Sequence, residues 1–131
     1  MLQDETRGET SLLNRVLWAD VAFEAIAGAV LLATATLADR WFDLPTATIY
    51  ILAAVFLVAA VAIVPLARAD EPSRQAVKGL AWANIAGGVL AWAALLLWWD
   101  RFEGEGRWLL AFAADAVLVI GAAELIALRR R

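Results

Sequence analysis

Apolar residues along the chain form four long stretches, and short polar segments separate them. The stretches cover residues 16–38, 47–67, 79–99 and 108–128, and the second of them carries no charged side chain. Each has about the 20 residues that a helix needs to cross a 30 Å hydrocarbon layer. A helix in a soluble bundle would need a polar face, which the second stretch does not have. The pattern therefore predicts an all-α membrane protein with four transmembrane helices.

Residues that interrupt helices lie between the apolar stretches. They are Asp43-Leu44-Pro45, Asp70-Glu71-Pro72-Ser73 and Gly104-Glu105-Gly106, and their turn-forming side chains predict where each helix stops. Short connections of this kind favour antiparallel neighbours. We therefore predict a single transmembrane domain over residues 1–131, folded as an antiparallel four-helix bundle.

The composition supports lipid as the solvent and removes several kinds of site. Apolar residues make up 63% of the chain, against roughly 45–50% in soluble globular domains. Cysteine and histidine are both absent, which excludes disulfides, thiolate or imidazole metal ligands and the usual axial ligands of haem. The net charge of −3 provides no basic surface for nucleic acid. We expect membrane lipid as a partner, and no cofactor, metal or nucleic acid.

Basic residues divide unevenly between the two sides that four helices would define. One side would carry Arg7, Arg15, Arg68, Arg74, Lys78, Arg129, Arg130 and Arg131. The other would carry Arg40, Arg101 and Arg107. Because basic residues favour the cytoplasm, this bias predicts that both termini and the middle loop are cytoplasmic. Residues 1–14 are polar and acid-rich rather than basic, so we expect the first helix to be retained rather than cleaved as a signal.

Tryptophan follows the same division. Trp41, Trp98, Trp99 and Trp108 would fall at the outer membrane interface, and Trp18 and Trp82 near the inner one. Such belts are typical of membrane proteins. Trp92 is deep in the third stretch, where we expect it to fill space in the core or against lipid.

The two halves of the chain resemble each other. A shift of 64 residues places Trp18-Ala19-Asp20 over Trp82-Ala83-Asn84, and after a three-residue deletion Asp39-Arg40 overlies Asp100-Arg101. Low-complexity runs of Ala and Leu could produce part of this match, but paired Trp and Asp-Arg landmarks are harder to produce by chance. We predict two tandem two-helix repeats, about residues 11–68 and 75–131, related by an axis near the membrane normal.

These landmarks also carry a resemblance to a known family. Arg15, Trp18-Ala19-Asp20, Leu44-Pro45, Asn84 and the arginine-rich end resemble an uncharacterised family of small four-helix bacterial membrane proteins. Glu124 departs from that pattern, in which a Gln is expected. The resemblance implies a location in the bacterial inner (plasma) membrane and brings no known activity, so no site residue follows from it.

Five polar side chains lie inside the predicted spans and form the candidate intramembrane polar site. They are Asp20, Glu24, Asn84, Asp115 and Glu124. Asp20 and Glu24 are four residues apart and share a helix face. Asp115 and Glu124 are nine residues apart and point in nearly opposite directions, so both cannot face the bundle axis.

Depth separates these residues into two groups. At about 1.5 Å per residue, Asp20, Asn84 and Glu124 lie near the cytoplasmic edge of the hydrocarbon core, and Glu24 and Asp115 lie nearer its middle. No Lys, Arg or His occurs at the depth of Glu24 and Asp115. We therefore expect Glu24 and Asp115 each to be neutral, hydrated or bound to a cation.

Structural roles are also predicted for these positions. Asp20 and Glu124 are within reach of basic residues at the helix ends, so we expect them to anchor those ends. Asn84 is expected to bridge helices, and Gly88 could leave room for Glu24 to approach the third span. A packing role for Glu24 and Asp115, each protonated and hydrogen-bonded, remains open beside a functional one.

Two classes of function are compatible with this pattern. The first is a non-catalytic bundle that self-associates or joins a larger membrane complex, with its polar groups holding helices together. The second is a small proton- or cation-coupled carrier or channel that uses Glu24 and Asp115. The chain offers no nucleophile and base pair and no metal cluster, so we do not expect an enzyme. The first class better explains the small size and short loops.

Overall fold

The chain is helical almost throughout the part that the structure describes. A computed structural model gives the backbone of residues 2–130 and the side chains of residues 12–130. Its elements are α1 (Leu2–Ala33), α2 (Ala35–Phe42), α3 (Thr46–Arg68), α4 (Arg74–Leu97), a short 3-10 helix (Trp99–Arg101) and α5 (Gly104–Arg129). Arg131 and the side chain of Arg7, which enter the predicted orientation, lie outside the described residues.

Four helical segments are long and apolar enough to cross a membrane. They are Leu12–Ala33, Thr46–Arg68, Arg74–Leu97 and Gly104–Arg129. Large apolar side chains cover their outer surfaces, and Val61, Leu97 and Phe112 are each at least 70% exposed. A continuous apolar surface of this kind is stable in lipid and aggregates in water. The prediction of an all-helical chain with four apolar spans is confirmed.

The first predicted helix, residues 16–38, is divided in the structure. α1 ends at Ala33, and α2 begins at Ala35. The hydroxyl of Thr34 donates a hydrogen bond to the carbonyl of Val30 at 2.6 Å, and such back-bonding bends helices. The apolar pattern runs through this point without interruption, so it could not mark the break.

The ends of the helices follow local side-chain chemistry. Asp43 has φ 51° and closes α2 in the left-handed conformation, and Pro45 precedes the first turn of α3. The hydroxyl oxygen of Ser73 accepts a hydrogen bond from the amide of Ala76 at 3.3 Å and caps α4. The third predicted interruption is different, because α5 begins at Gly104 and includes the whole Gly-Glu-Gly segment.

Two helix pairs account for most of the packing, α1 with α3 and α4 with α5. Each pair approaches closely at a glycine. A Cβ on Gly28 would lie 2.9 Å from Cδ2 of Leu57, and a Cβ on Gly88 would lie 2.8 Å from Cδ2 of Leu118. Leu118 therefore occupies the space beside Gly88 that we expected Glu24 to use, and that expectation is wrong.

The four spanning helices converge in one apolar cluster. α1, α3, α4 and α5 all contribute to it, through Leu13, Leu17, Ile63, Ala67, Val77, Ala127 and Leu128. At the other end of the spans, α2 packs on α3 and also reaches α5. There the amide of Glu103 donates to the carbonyl of Trp41 at 3.1 Å, and a Cβ on Gly106 would lie 2.8 Å from Cβ of Trp41. The two helix pairs are thus joined at both ends.

Candidate intramembrane polar site

A buried polar cluster joins three helices next to the apolar cluster. Its members are Asp20 on α1, Asn84 on α4 and Glu124 on α5, and we call it the acid-amide cluster. Asp20 and Glu124 are fully buried, and Asn84 is 8% exposed. Nδ2 of Asn84 donates to Oδ2 of Asp20 at 2.9 Å and to Oε1 of Glu124 at 3.3 Å. One amide nitrogen therefore bridges two carboxyl groups.

The helix faces that build the apolar cluster continue into the acid-amide cluster. Asp20 follows Leu13 and Leu17 at spacings of seven and three residues, so the three lie on one face of α1. Glu124 precedes the buried Leu128 of α5 by four residues. A Cβ on Gly121 would lie 3.2 Å from Cβ of Asn84, so this glycine lets α5 approach α4 beside the amide.

The hydrogen bonding of the acid-amide cluster is incomplete. Oδ1 of Asp20 and Oε2 of Glu124 are buried and have no hydrogen-bond partner among the described residues. Both carboxyl groups accept from the same nitrogen of Asn84, so they are adjacent. An ionised carboxylate is an acceptor only, and a buried acceptor without a donor costs free energy. The cluster therefore holds two buried acceptors without a donor.

Glu24 adds a third carboxyl group to this region. It is one helical turn from Asp20 on α1 and is 7% exposed. Among the described residues, no three acidic side chains are arranged to hold a metal ion. The region therefore holds three carboxyl groups, two on α1 and one on α5.

Asp115 is on the side of α5 opposite to Glu124 and is exposed on the surface of the chain. Nε1 of Trp92, whose side chain is half-buried, donates to Oδ1 of Asp115 at 2.9 Å. We expected no basic residue at the depth of Asp115 and a space-filling role for Trp92. The partner of Asp115 is a neutral donor, so the structure corrects only the expectation for Trp92. Sequence reasoning missed the pair because it treated tryptophan as an apolar residue and not as a hydrogen-bond donor.

The structure also corrects the expectation that Asp20 and Glu124 anchor helix ends beside basic residues. Both face the interior, whereas Arg15 and Lys78 are exposed. Depth alone suggested the anchoring role, while the shared face with Leu17 and Leu128 determines the burial. That spacing was the signal in the sequence that could have predicted it.

Other polar contacts hold the ends of the helix pairs. Nδ2 of Asn14 donates to the carbonyls of Ala67 and Ala69, each at 2.8 Å, and so satisfies acceptors that the end of α3 leaves free. Near the opposite end, the guanidinium of Arg107 lies 4.8 Å from the ring centroid of Trp99, and its Nε donates to the Trp99 carbonyl at 2.9 Å. These contacts are structural, because each completes the bonding of a helix end.

No protein-family model, curated protein or solved structure matches this chain.

Proposed function

We propose that this chain is a small non-catalytic transmembrane subunit that assembles with other transmembrane helices through the surface that carries Trp92 and Asp115. The partner is a second copy of the chain or a larger membrane complex. The observation that carries this assignment is the exposed carboxyl group of Asp115, which is halfway along a span that lipid would otherwise surround.

The cost of that exposure favours a partner. A charged side chain at the centre of a membrane helix costs about 2.5–3.5 kcal/mol on insertion scales. Trp92 donates to one oxygen of Asp115 only, so the other oxygen still needs a donor. A helix from a partner can supply that donor and cover the apolar residues around it, and polar side chains join membrane helices in this way.

We place the chain in a bacterial inner (plasma) membrane as an antiparallel bundle with both termini in the cytoplasm. Two contacts support the antiparallel arrangement of α1 and α3. Asn14 contacts Ala67, while Gly28, further along α1, is next to Ala53 near the start of α3. The eight-to-three division of basic residues supports the orientation.

Two tandem repeats are the architecture that we infer for this bundle. Gly28 beside Leu57 and Gly88 beside Leu118 are equivalent contacts in the two helix pairs, and they support the repeat. These glycines are 60 residues apart, whereas the sequence match pairs Asp20 with Asn84 at 64 residues. The difference of four residues is about one helical turn. We infer that α4 in the second copy is displaced along its axis by about one turn relative to α1 in the first copy.

Site-directed crosslinking tests the assembly role, because the chain has no cysteine and each introduced thiol is therefore unique. Phe112→Cys and Val119→Cys place a thiol one turn to either side of Asp115, at positions that are 70% and 66% exposed. Val61→Cys on α3 is 73% exposed and is the matched control. In native membranes we expect crosslinked products from the two α5 variants and none from the control.

The size of the product distinguishes the two kinds of partner. A product of twice the chain's 14.2 kDa indicates a second copy, and a different discrete product indicates another subunit. If all three variants remain monomeric under conditions that oxidise the thiols, or all three crosslink equally, the assembly role is wrong.

A proton- or cation-coupled carrier is the second candidate, and the buried carboxyl groups of Asp20, Glu24 and Glu124 favour it. In this version Asp115 takes no part in transport, because it faces away from Glu124. Flux into vesicles that contain the purified protein tests the idea. Flux that Glu24→Gln abolishes and Asp115→Asn preserves would support a carrier, while the absence of flux in the unmodified protein would exclude it.

A further inference from the structure

We propose that Asp20 and Glu124 bind one proton between them, along the line from Oδ1 of Asp20 to Oε2 of Glu124. The site is a hydrogen-bonded ring of three groups, two carboxyls and one amide, at the junction of the two helix pairs. It is separate from the assembly surface, because Asp115 is on the opposite face of α5.

Counting donors and acceptors leads to this proton. The two carboxyl groups present four oxygen atoms, and Nδ2 of Asn84 donates to one oxygen of each. An amide nitrogen has two hydrogens, so both are used. The two remaining oxygens are buried without a partner among the described residues, and the shared nitrogen holds the two carboxyl groups next to each other. A proton on either oxygen converts it into a donor to the other, and the ring closes.

Electrostatics also favour the proton. Two adjacent carboxylates in a water-poor site cannot both remain ionised without a counter-ion, and such pairs share a proton. A hydrogen bond between a carboxylic acid and a carboxylate is short and strong, because one partner carries the charge. The shared proton therefore removes one negative charge and satisfies two orphaned acceptors in a single step.

The charged groups that the surrounding helices bring do not supply a counter-ion that could replace the proton. α1 brings Glu24, which is a further acid, and the only charged residue of α3 is Arg68 at its exposed end. The basic residues of α4, Arg74 and Lys78, and Arg129 on α5 are exposed as well. A metal cation needs more oxygens than the two that remain, since Ca²⁺ and Mg²⁺ take about six or more. A proton needs only two acceptors in line.

The position of the ring gives the proton a structural consequence. Asp20 belongs to the α1 and α3 pair, whereas Asn84 and Glu124 belong to the α4 and α5 pair. The proton therefore closes a polar link between the two pairs beside the apolar cluster. Removal of the proton would place two negative charges at that junction and would favour separation of the pairs.

Infrared spectroscopy of the purified full-length chain in lipid bilayers tests the site. At neutral pH, exposed carboxyl groups are ionised, so we expect a protonated-carboxyl C=O component from this pair. Asp20→Asn and Glu124→Gln should each remove the same component, because the new amide supplies the donor and leaves the other acid ionised. Glu24→Gln, Asp115→Asn and the exposed loop variant Glu71→Gln should leave that component in place.

Isotope labelling keeps the test independent of variants that fail to fold. Carbon-13 in the aspartate or glutamate carboxyls of the unmodified protein shifts the component that belongs to a protonated acid. Absence of any protonated component at neutral pH overturns the proposal. The proposal is also overturned if only Glu24→Gln or Asp115→Asn removes the component. It is overturned as well if sodium at constant ionic strength raises the melting temperature, and does so only while Asp20 and Glu124 are both present. None of these outcomes depends on whether the Asp115 surface binds a partner.

Discussion

Asp20 and Glu124 are 104 residues apart in the chain and meet through the same nitrogen of Asn84. This contact makes the first and last spanning helices neighbours at a buried, polar position. Because a polar group inside a membrane bundle has few replacement partners, each member of the contact constrains the other two. The consequences can be measured by substitution.

Loss of the bridging amide should destabilise the bundle. Asn84→Ala removes both N–H donors from the buried acids and leaves two more oxygens unsatisfied. We expect the free energy of unfolding in mixed micelles to fall by about 1–3 kcal/mol. Gln75→Ala, at an exposed position near the start of α4, is the control and should have little effect. Equal stability of both variants would mean that the amide does not bear on folding.

The close glycine contacts predict a second set of stability changes. Gly28→Ala and Gly88→Ala each place a Cβ within 3.0 Å of a leucine side chain and close to a backbone carbonyl. Such overpacking costs about 1–3 kcal/mol. Gly87→Ala is the matched control, since nothing lies within 4 Å of its Cβ position, and it should be neutral or slightly stabilising because alanine favours helices.

Denaturant titrations of these three variants in the same micelles provide the measurement. If Gly87→Ala loses as much stability as Gly88→Ala, the effect belongs to the helix and not to its contact with Leu118.

Substitution by leucine should change the stability of the single chain much less at Asp115 than at Asp20. Asp115→Leu removes an exposed polar group, so the single chain should keep its free energy of unfolding within about 0.5 kcal/mol. Asp20→Leu removes a buried hydrogen-bonding partner and should cost about 2 kcal/mol or more. Association through the proposed surface should weaken in Asp115→Leu by about 1 kcal/mol, roughly fivefold in the dissociation constant.

Fluorescence energy transfer between labelled chains in vesicles measures that association. Phe112→Leu changes the same surface without changing its polarity and is the control. Unchanged transfer in Asp115→Leu would remove Asp115 from the interface.

The proposed orientation predicts which loops can be labelled from outside. A membrane-impermeant thiol reagent should modify Glu105→Cys in intact cells and should modify Glu71→Cys only after the membrane is opened. Both positions are exposed, and the background is silent because the chain has no cysteine. The reverse pattern would place the termini outside the cell.

The apolar pattern predicted the number and placement of the spans because burial in lipid depends on composition over about 20 residues. It missed the break at Thr34, since one back-bonded hydroxyl bends the helix without changing local hydropathy. The two predicted turns before α3 and α4 contain proline, which favours turns and the start of a helix because its φ is fixed and it has no N–H to donate.

The candidate site was predicted in part. Sequence reasoning named all five polar residues, because a charged or amide side chain within an apolar span stands out. It could not determine that Asn84 reaches both Asp20 and Glu124, since that contact depends on how two helix pairs pack. It also could not place Trp92 against Asp115, because these residues are 23 positions apart on different helices.

Each glycine contact gives its helix pair an interface of its own. Residues 12–68 and 74–129 therefore each contain a packed helix pair, and the connection between them is exposed at Asp70, Glu71 and Ser73. A chain cut in this connection and expressed as two fragments should insert as two independent units. Reassembly of the fragments would then depend on the apolar cluster and on the acid-amide cluster. The yield of reassembled chain from co-expressed fragments would therefore measure how much the buried hydrogen bonds of the acid-amide cluster contribute.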